Sequence, residues 1–391
     1  MINMHSWMFL QSYEKLREQL LSTKCILTMA HLGARAFEEI GGEVVQTTTF
    51  VLFNKNIKEF AGSYDRLVFE NTQNAKKEQF LSGNKRYITK QDSFFSIPNQ
   101  PIAYWASPAT IKAFETGVPL GNVAASKQGL ATSNNNRFIR LWYELQTSKI
   151  SFHEIDCEHA QKSGYRWFPY NKGGEFRRWY GNNDYVVNWE NDGYEIRHCF
   201  DDNGKLRSRP QNTQYYFHEC FSWSLVSTGV AAFRYKPQGH IFDVAGMSCF
   251  SNQHLFYLMA LCNSKVASNV LSFIAPTINY QCGDIACIPV LFSDLEPTIE
   301  HLAHENIEFT KEDWDLSEVS WDFIRNSLLY RNCSIAKAYK IYEENCNKCF
   351  AKVKSNDEEL NRIFIKIYGL QNELTPEVED KDVTVRLADK E

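Results

Sequence analysis

Three cations set among aromatic rings and two glycines form the stretch of this sequence best equipped to hold a ligand. Residues 167–193 read Trp-Phe-Pro-Tyr-Asn-Lys-Gly-Gly-Glu-Phe-Arg-Arg-Trp-Tyr-Gly-Asn-Asn-Asp-Tyr-Val-Val-Asn-Trp-Glu-Asn-Asp-Gly. Lys172, Arg177 and Arg178 can hold phosphates, while Trp167, Phe168, Tyr170, Phe176, Trp179 and Tyr180 can lie flat against bases around a turn at Gly173-Gly174. That mixture suits a surface that reads nucleic acid. It also suits a β-hairpin whose rings are core and whose charges are solvated.

The elements that must position this stretch come from a chain of 391 residues, long enough for two or three domains. At 43% hydrophobic and 14% aromatic it can bury sizeable cores. No window approaches the roughly eighteen apolar residues of a membrane span, and the start lacks a basic leader, so the chain reads as cytoplasmic without a membrane partner. Eleven cysteines without framework spacing fit a reducing compartment. Cys346 and Cys349 form the single CxxC pair, no second pair completes a zinc site, and no metal is expected. The net charge of −5 is uneven: residues 85–293 carry 20 Lys+Arg against 16 Asp+Glu, and residues 294–391 carry 13 against 22. A mildly basic middle beside an acidic tail is compatible with a DNA partner, because the field at one face decides. The same imbalance predicts that the tail from about Asp294 is dispensable for gripping DNA.

Phe9, Tyr13, Leu16 and Leu20 at helical spacing predict an amphipathic helix over 6–22. A strand over 25–30, a brief helix over 31–39 and a strand over 43–54, rich in β-branched and aromatic residues, complete an α/β pattern. Residues 61–100 are polar and punctuated and read as a linker. A helix over 109–116 follows, then a β-rich region over 119–250 with a hairpin turn at Asn203-Gly204. One helix is expected over 254–274, with Asn263-Ser264-Lys265 midway, and another over 334–368 with Gly369 as cap; the last fifteen residues are polar enough to fray. Trp314-Asp315 and Trp321-Asp322 recur in the tail as fasteners across another domain. The fold class is α/β and α+β, multidomain.

Lys172-Gly-Gly-Glu-Phe-Arg-Arg-Trp-Tyr-Gly followed by Asn188-Trp-Glu-Asn-Asp-Gly193 resembles the target-recognition domain of the adenine-specific DNA methyltransferases of BREX phage-defence systems. His31-Leu-Gly-x-Arg-Ala-Phe and Gly42-Glu-Val-Val-Gln-Thr-Thr-Thr-Phe-Val resemble the closing segments of their catalytic domain, and residues 119–142 resemble the opening of recognition domains in restriction-modification specificity subunits. The resemblance implies a truncated end of a Rossmann-like methyltransferase sheet over 1–60, the linker over 61–100, a β-rich recognition domain over 101–293 and an acidic helical region over 294–391. It implies double-stranded DNA as partner, contacted by Lys127, Gln128, Thr132, Asn134, Asn135, Arg137, Lys172, Arg177, Arg178, Tyr180 and Asn182. Phe50 is a weak candidate for the pocket of a flipped adenine, since Val44 and Val45 occupy the place where an aromatic residue can flank the base.

The complete enzymes of this family use S-adenosylmethionine, held by a glycine-rich loop, and an Asn-Pro-Pro-Tyr tetrapeptide that receives the adenine. Neither occurs here: the eleven prolines never form a Pro-Pro pair. The chain is therefore expected to be inactive alone, with no catalytic residue of its own, and to work with an upstream methyltransferase half or other defence-system proteins. A non-catalytic DNA- or protein-interaction subunit of a defence complex is the alternative reading, and an RNA- or glycan-binding module a third.

Overall fold

The computed structural model describes residues 1–37, 45–227, 229–276, 278–329 and 333–388. The chain divides into two compact units, residues 1–117 with 270–276, and residues 118–269 with 277–391. Both are mixed α/β, and neither contains a closed barrel among the described residues.

The first unit is built on β1 (Ile2–Met4), β2 (Cys25–Gly33), β3 (Thr47–Phe53), β4 (Ala61–Arg66) and β5 (Arg86–Lys90), in the order β1-β3-β2-β4-β5. β2 runs parallel to β4 and the other pairings are antiparallel. Helices α1 (Glu14–Thr23), α2 (Gln73–Ser82) and α3 (Pro108–Thr116) accompany the sheet. α3 starts where expected because Ser107 caps the Thr110 amide and Pro108 presets the first turn. Segment 6–22 is helical only from Glu14; two short 3₁₀ turns precede it, and Arg17 is buried against the carbonyls of Trp7, Leu10 and Asn99. The brief helix expected over 31–39 is instead the end of β2 and a bend up to Phe37; Glu38 and Glu39, like Gly41, Gly42 and Val44, lie outside the described residues. Segment 61–100, expected to be a linker, supplies β4, α2 and β5. β4 has no β-branched residue, so its pairing with β2 and β5, not local propensity, makes it a strand.

In the second unit, β6 (Val118–Pro119) pairs with β15 (Pro289–Val290). Two four-stranded sheets follow. One orders β13 (Ile241–Phe242), β9 (Trp167–Asn171), β10 (Tyr185–Asn188) and β8 (Ile139–Leu141); the other orders β12 (Phe233–Lys236), β11 (Cys220–Trp223), β14 (Ser248–Phe250) and β7 (Ala125–Lys127). Short helices α4 (Asn135–Phe138), α5 (Cys157–Ser163), α6 (Glu190–Arg197) and α9 (Cys282–Ala286) sit in the connections. The helix expected over 254–274 is two, α7 (Leu255–Asn263) and α8 (Lys265–Ile274), separated at Ser264, with the end of α8 in the first unit; α10 (Glu296–Asp315) and α11 (Ile335–Ile367) carry the acidic tail. Gly369 adopts φ +68° just past α11, the left-handed cap expected of it. The described part of the segment after it, up to residue 388, is packed where fraying was expected: Val378, Val383 and Val385 are buried. Among the described residues, no helix is long and apolar enough to cross a membrane.

Candidate nucleic-acid interface

The aromatic-basic stretch folds as β9 and β10 with a long loop between them. Trp167, Phe168, Tyr170, Trp179, Tyr180 and Trp189 are all buried, and of the named rings only Phe176 is exposed. Asn191, Asp192 and Gly193 take left-handed backbone, and a Cβ on Gly193 would lie 2.5 Å from the Trp189 ring, so the end of the motif is a fit of glycine to indole.

The cations are taken up by the tail. Arg177 donates from Nε to the Tyr180 carbonyl at 2.8 Å and from its guanidinium to Asp313 Oδ2 at 2.8 Å, stacked 5.0 Å from the Trp314 ring. Arg178 is buried, 3.9 Å from Asp357 Oδ2, with its amide donating to Thr384 Oγ1. Trp179 Nε1 donates to Asp357 Oδ1 at 2.9 Å, as does Asn306 Nδ2, and burial pushes the Asp357 carboxyl up to about 6 against the pull of Arg178. Asp313 also accepts the Arg386 amide and Nε. Arg177 and Arg178, expected as phosphate clamps, are thus each set against a carboxylate of the tail. A guanidinium packed among rings in a protein interior needs a carboxylate partner, and cation–aromatic seams and nucleic-acid surfaces share one residue vocabulary. Tyr180 and Asn182 are likewise interior, Asn182 donating to the Glu175 carbonyl. Lys172 keeps part of its side chain in solvent, 3.9 Å from Asp243. Beneath this loop Lys236 is fully buried, donating to the carbonyls of Gly181 and Asn182 and to Asn183 Oδ1; burial pushes its ammonium down to about 7.

The amide-rich segment after β7 lies on the surface instead. Gly129 permits it to run close to the neighbouring strand, since a Cβ there would meet the Phe242 carbonyl oxygen at 1.9 Å. Thr132 is buried and donates to Asn135 Oδ1 at 2.6 Å, and Asn134 Oδ1 caps the Arg137 amide, so these side chains shape the loop. Asn134, Asn135 and Arg137 are exposed; Arg137 pairs with Glu195 at 2.8 Å and by that hydrogen bond holds the Glu195 carboxyl below its usual range. Lys127 lies 5.6 Å over the Tyr215 ring, lining a hollow of about 720 Å³ with Phe250, Asn252 and Gln253. The Gln128 carbonyl accepts Asn212 Nδ2.

One neighbour of this loop was read from the sequence only as a turn. Residues 199–209 form a hairpin whose Arg209 exchanges both backbone hydrogen bonds with Ala131, bringing Lys205, Arg207 and Arg209 beside the amides. Its signal was the alternation of Lys205, Arg207 and Arg209.

In the first unit Phe50 is core, its ring 5.1 Å from Trp7. His31 is buried between His5 and Tyr104, at 2.8 and 3.2 Å, and burial, with the two neighbouring positive charges and His5, pushes its pKa down to about 3. Among the described residues no group of three or more His, Cys, Asp and Glu side chains is arranged to hold a metal.

No protein-family model matches this sequence. It is 43% identical over 99% of its length to the adenine-specific methyltransferase PglX of Lacticaseibacillus casei (strain Zhang), and 37% identical over 96% of its length to the adenine-specific methyltransferase BrxX of Escherichia coli O9:H4 (strain HS). The chain spans about a third of these relatives, 33% and 30% of their respective lengths. Its fold resembles that of the Type IIL restriction-modification enzyme MmeI, solved in complex with DNA, at a TM-score of 0.50 and 11% identity, covering 100% of this chain and 49% of that one. The resemblance to adenine-specific methyltransferases drawn from the sequence motifs is thus shown.

Proposed function

We propose that this chain, similar throughout to about a third of adenine-specific methyltransferases, is the portion of an adenine-N6 DNA methyltransferase that grips duplex DNA and reads a short sequence. The observation that carries the reading is one surface, the exposed amides and Arg137 of the loop after β7, joined through the Ala131–Arg209 pairing to three cations. Amides in that position can pair with adenine edges, Arg137 with guanine or phosphate, and the cations of the hairpin with phosphates. The similarity to MmeI in fold agrees with such a role.

In the complete enzyme S-adenosylmethionine would supply the methyl group. The residues that bind it and receive the adenine would come from a methyltransferase half outside this chain, which carries no Asn-Pro-Pro-Tyr. The partners are then duplex DNA and that half, and the recognition portion's task is to hold the duplex while one adenine leaves the stack, an extrusion that costs a few kcal/mol.

Fluorescence anisotropy with a random duplex pool tests this. The 391-residue chain should bind with an affinity that falls steeply with salt, and Asn135→Ala should relax preference at one base position at a cost of about 1–3 kcal/mol. Binding that ignores salt, or no selection from the pool, would overturn the assignment.

A further inference from the structure

The hairpin after α6 carries more than cations. Phe200 and Leu206 face each other across its two strands as a bridged antiparallel pair, so both side chains stand on one face of the ribbon, and they are 53% and 42% exposed. Two further rings continue the row: His198 lies 6.3 Å from Phe200, and Tyr194, 60% exposed, lies 4.2 Å from His198. Exposed apolar side chains in a row on a projecting ribbon are costly in water unless something covers them.

The ribbon is also stiff. Asp201 Oδ1 accepts the amides of Asn203 and Lys205, its carbonyl accepts the Gly204 amide, and Gly204 takes the left-handed conformation at φ +74°. At the base the Ser208 hydroxyl donates to the Ile196 carbonyl, and Arg209 pairs with Ala131. Lys205, Arg207 and Arg209 are exposed and make no ion pair with another described residue. Free cations beside an exposed apolar pair, set just behind the Asp201-Asp202-Asn203-Gly204 turn, fit a polyanion with an apolar interior, and duplex DNA with its stacked bases has that character.

We propose that residues 199–209 are a wedge that enters duplex DNA beside the loop after β7. Phe200 and Leu206 occupy the gap opened at a distorted base step while Lys205, Arg207 and Arg209 neutralise the flanking phosphates. This rests on the DNA-reading function and adds to it the element that offsets the unstacking.

The test uses the full chain and a duplex that it selects from a random pool, with 2-aminopurine placed at successive positions. The parent should raise 2-aminopurine fluorescence at one or two adjacent positions. Phe200→Ala with Leu206→Ala should abolish that rise while leaving the salt slope and the thermal melt as in the parent, and Phe200→Trp should retain the rise. Lys205→Gln, Arg207→Gln and Arg209→Gln together should flatten the salt slope by about two to three units. If the parent selects a duplex and the Phe200→Ala, Leu206→Ala variant unstacks it equally well, the wedge is overturned and the reading function stands. If the parent selects none, both fall.

Discussion

A chain ended after Ser293 should fail to give a folded second unit, showing no cooperative melt and no near-ultraviolet signature of packed tryptophans. The charge imbalance of the sequence suggests the opposite, that the acidic tail is a detachable appendage repelling DNA. In the structure the tail is interior. Ile299, Ala303, Val353, Leu360 and Phe364 are buried, the Phe364 ring lies 5.6 Å edge-on to Tyr257 of α7, and Tyr368 donates to the Pro289 carbonyl. Deleting a large buried apolar side chain costs about 2–5 kcal/mol, and a domain is stable by only about 5–15 kcal/mol. Removing Ile299, Val353, Leu360 and Phe364 at once matches or exceeds that margin. The cut would also leave Arg177, Arg178 and the Trp179 indole without their carboxylates. A 1–293 fragment that melts cooperatively and binds duplex like the full chain would refute this account and restore the tail as an appendage.

What the sequence made legible follows from how far each feature depends on distant residues. β3, α3, α11 with its Gly369 cap and the turn at Asn203-Gly204 are written in local chemistry, and each stands where expected. β4 is not. Ala-Gly-Ser-Tyr-Asp-Arg over 61–66 has little strand propensity and becomes a strand because β2 and β5 flank it. The role of the aromatic-basic stretch was ambiguous for a similar reason. The partners that decide between seam and surface, Asp313 and Asp357, lie 136 and 178 residues away in sequence from Arg177 and Trp179, and no spacing rule links them. The tail tryptophans, expected to fasten the tail across another domain, pack within the second unit itself: Trp314 covers Arg177, and Trp321 lies against Phe152 and His240. Of the expected DNA-contacting residues, those on the loop after β7 are exposed in part. Those in the β9–β10 loop are mostly spent on packing, which moves the candidate surface toward the hairpin of Lys205, Arg207 and Arg209.

Asp357 concentrates the consequence of that packing. One fully buried carboxylate accepts from Trp179 and Asn306 and faces Arg178. Asp357→Ala should therefore cost about 3–5 kcal/mol, since it leaves a buried guanidinium and two buried N–H groups without an acceptor, whereas Asp357→Asn keeps an oxygen in place and should cost less. The two variants differ further in pH. Burial raises this carboxyl from 3.8 to about 6, so between those values the folded chain holds a proton that the unfolded chain has released. Stability from this group is then greatest below pH 4 and is lost as pH rises through 6, by up to about 3 kcal/mol. Other carboxylates titrate in the same window, so the quantity to measure is the difference in unfolding free energy between parent and Asp357→Asn from pH 4 to 7. That difference should shift against the parent as pH rises and level off above 6, because only the parent must ionise a group in the interior. A flat difference would mean that Asp357 is charged throughout, held by Arg178 more strongly than burial opposes it, and an Asp357→Ala chain melting with the parent would mean that the seam bears no weight.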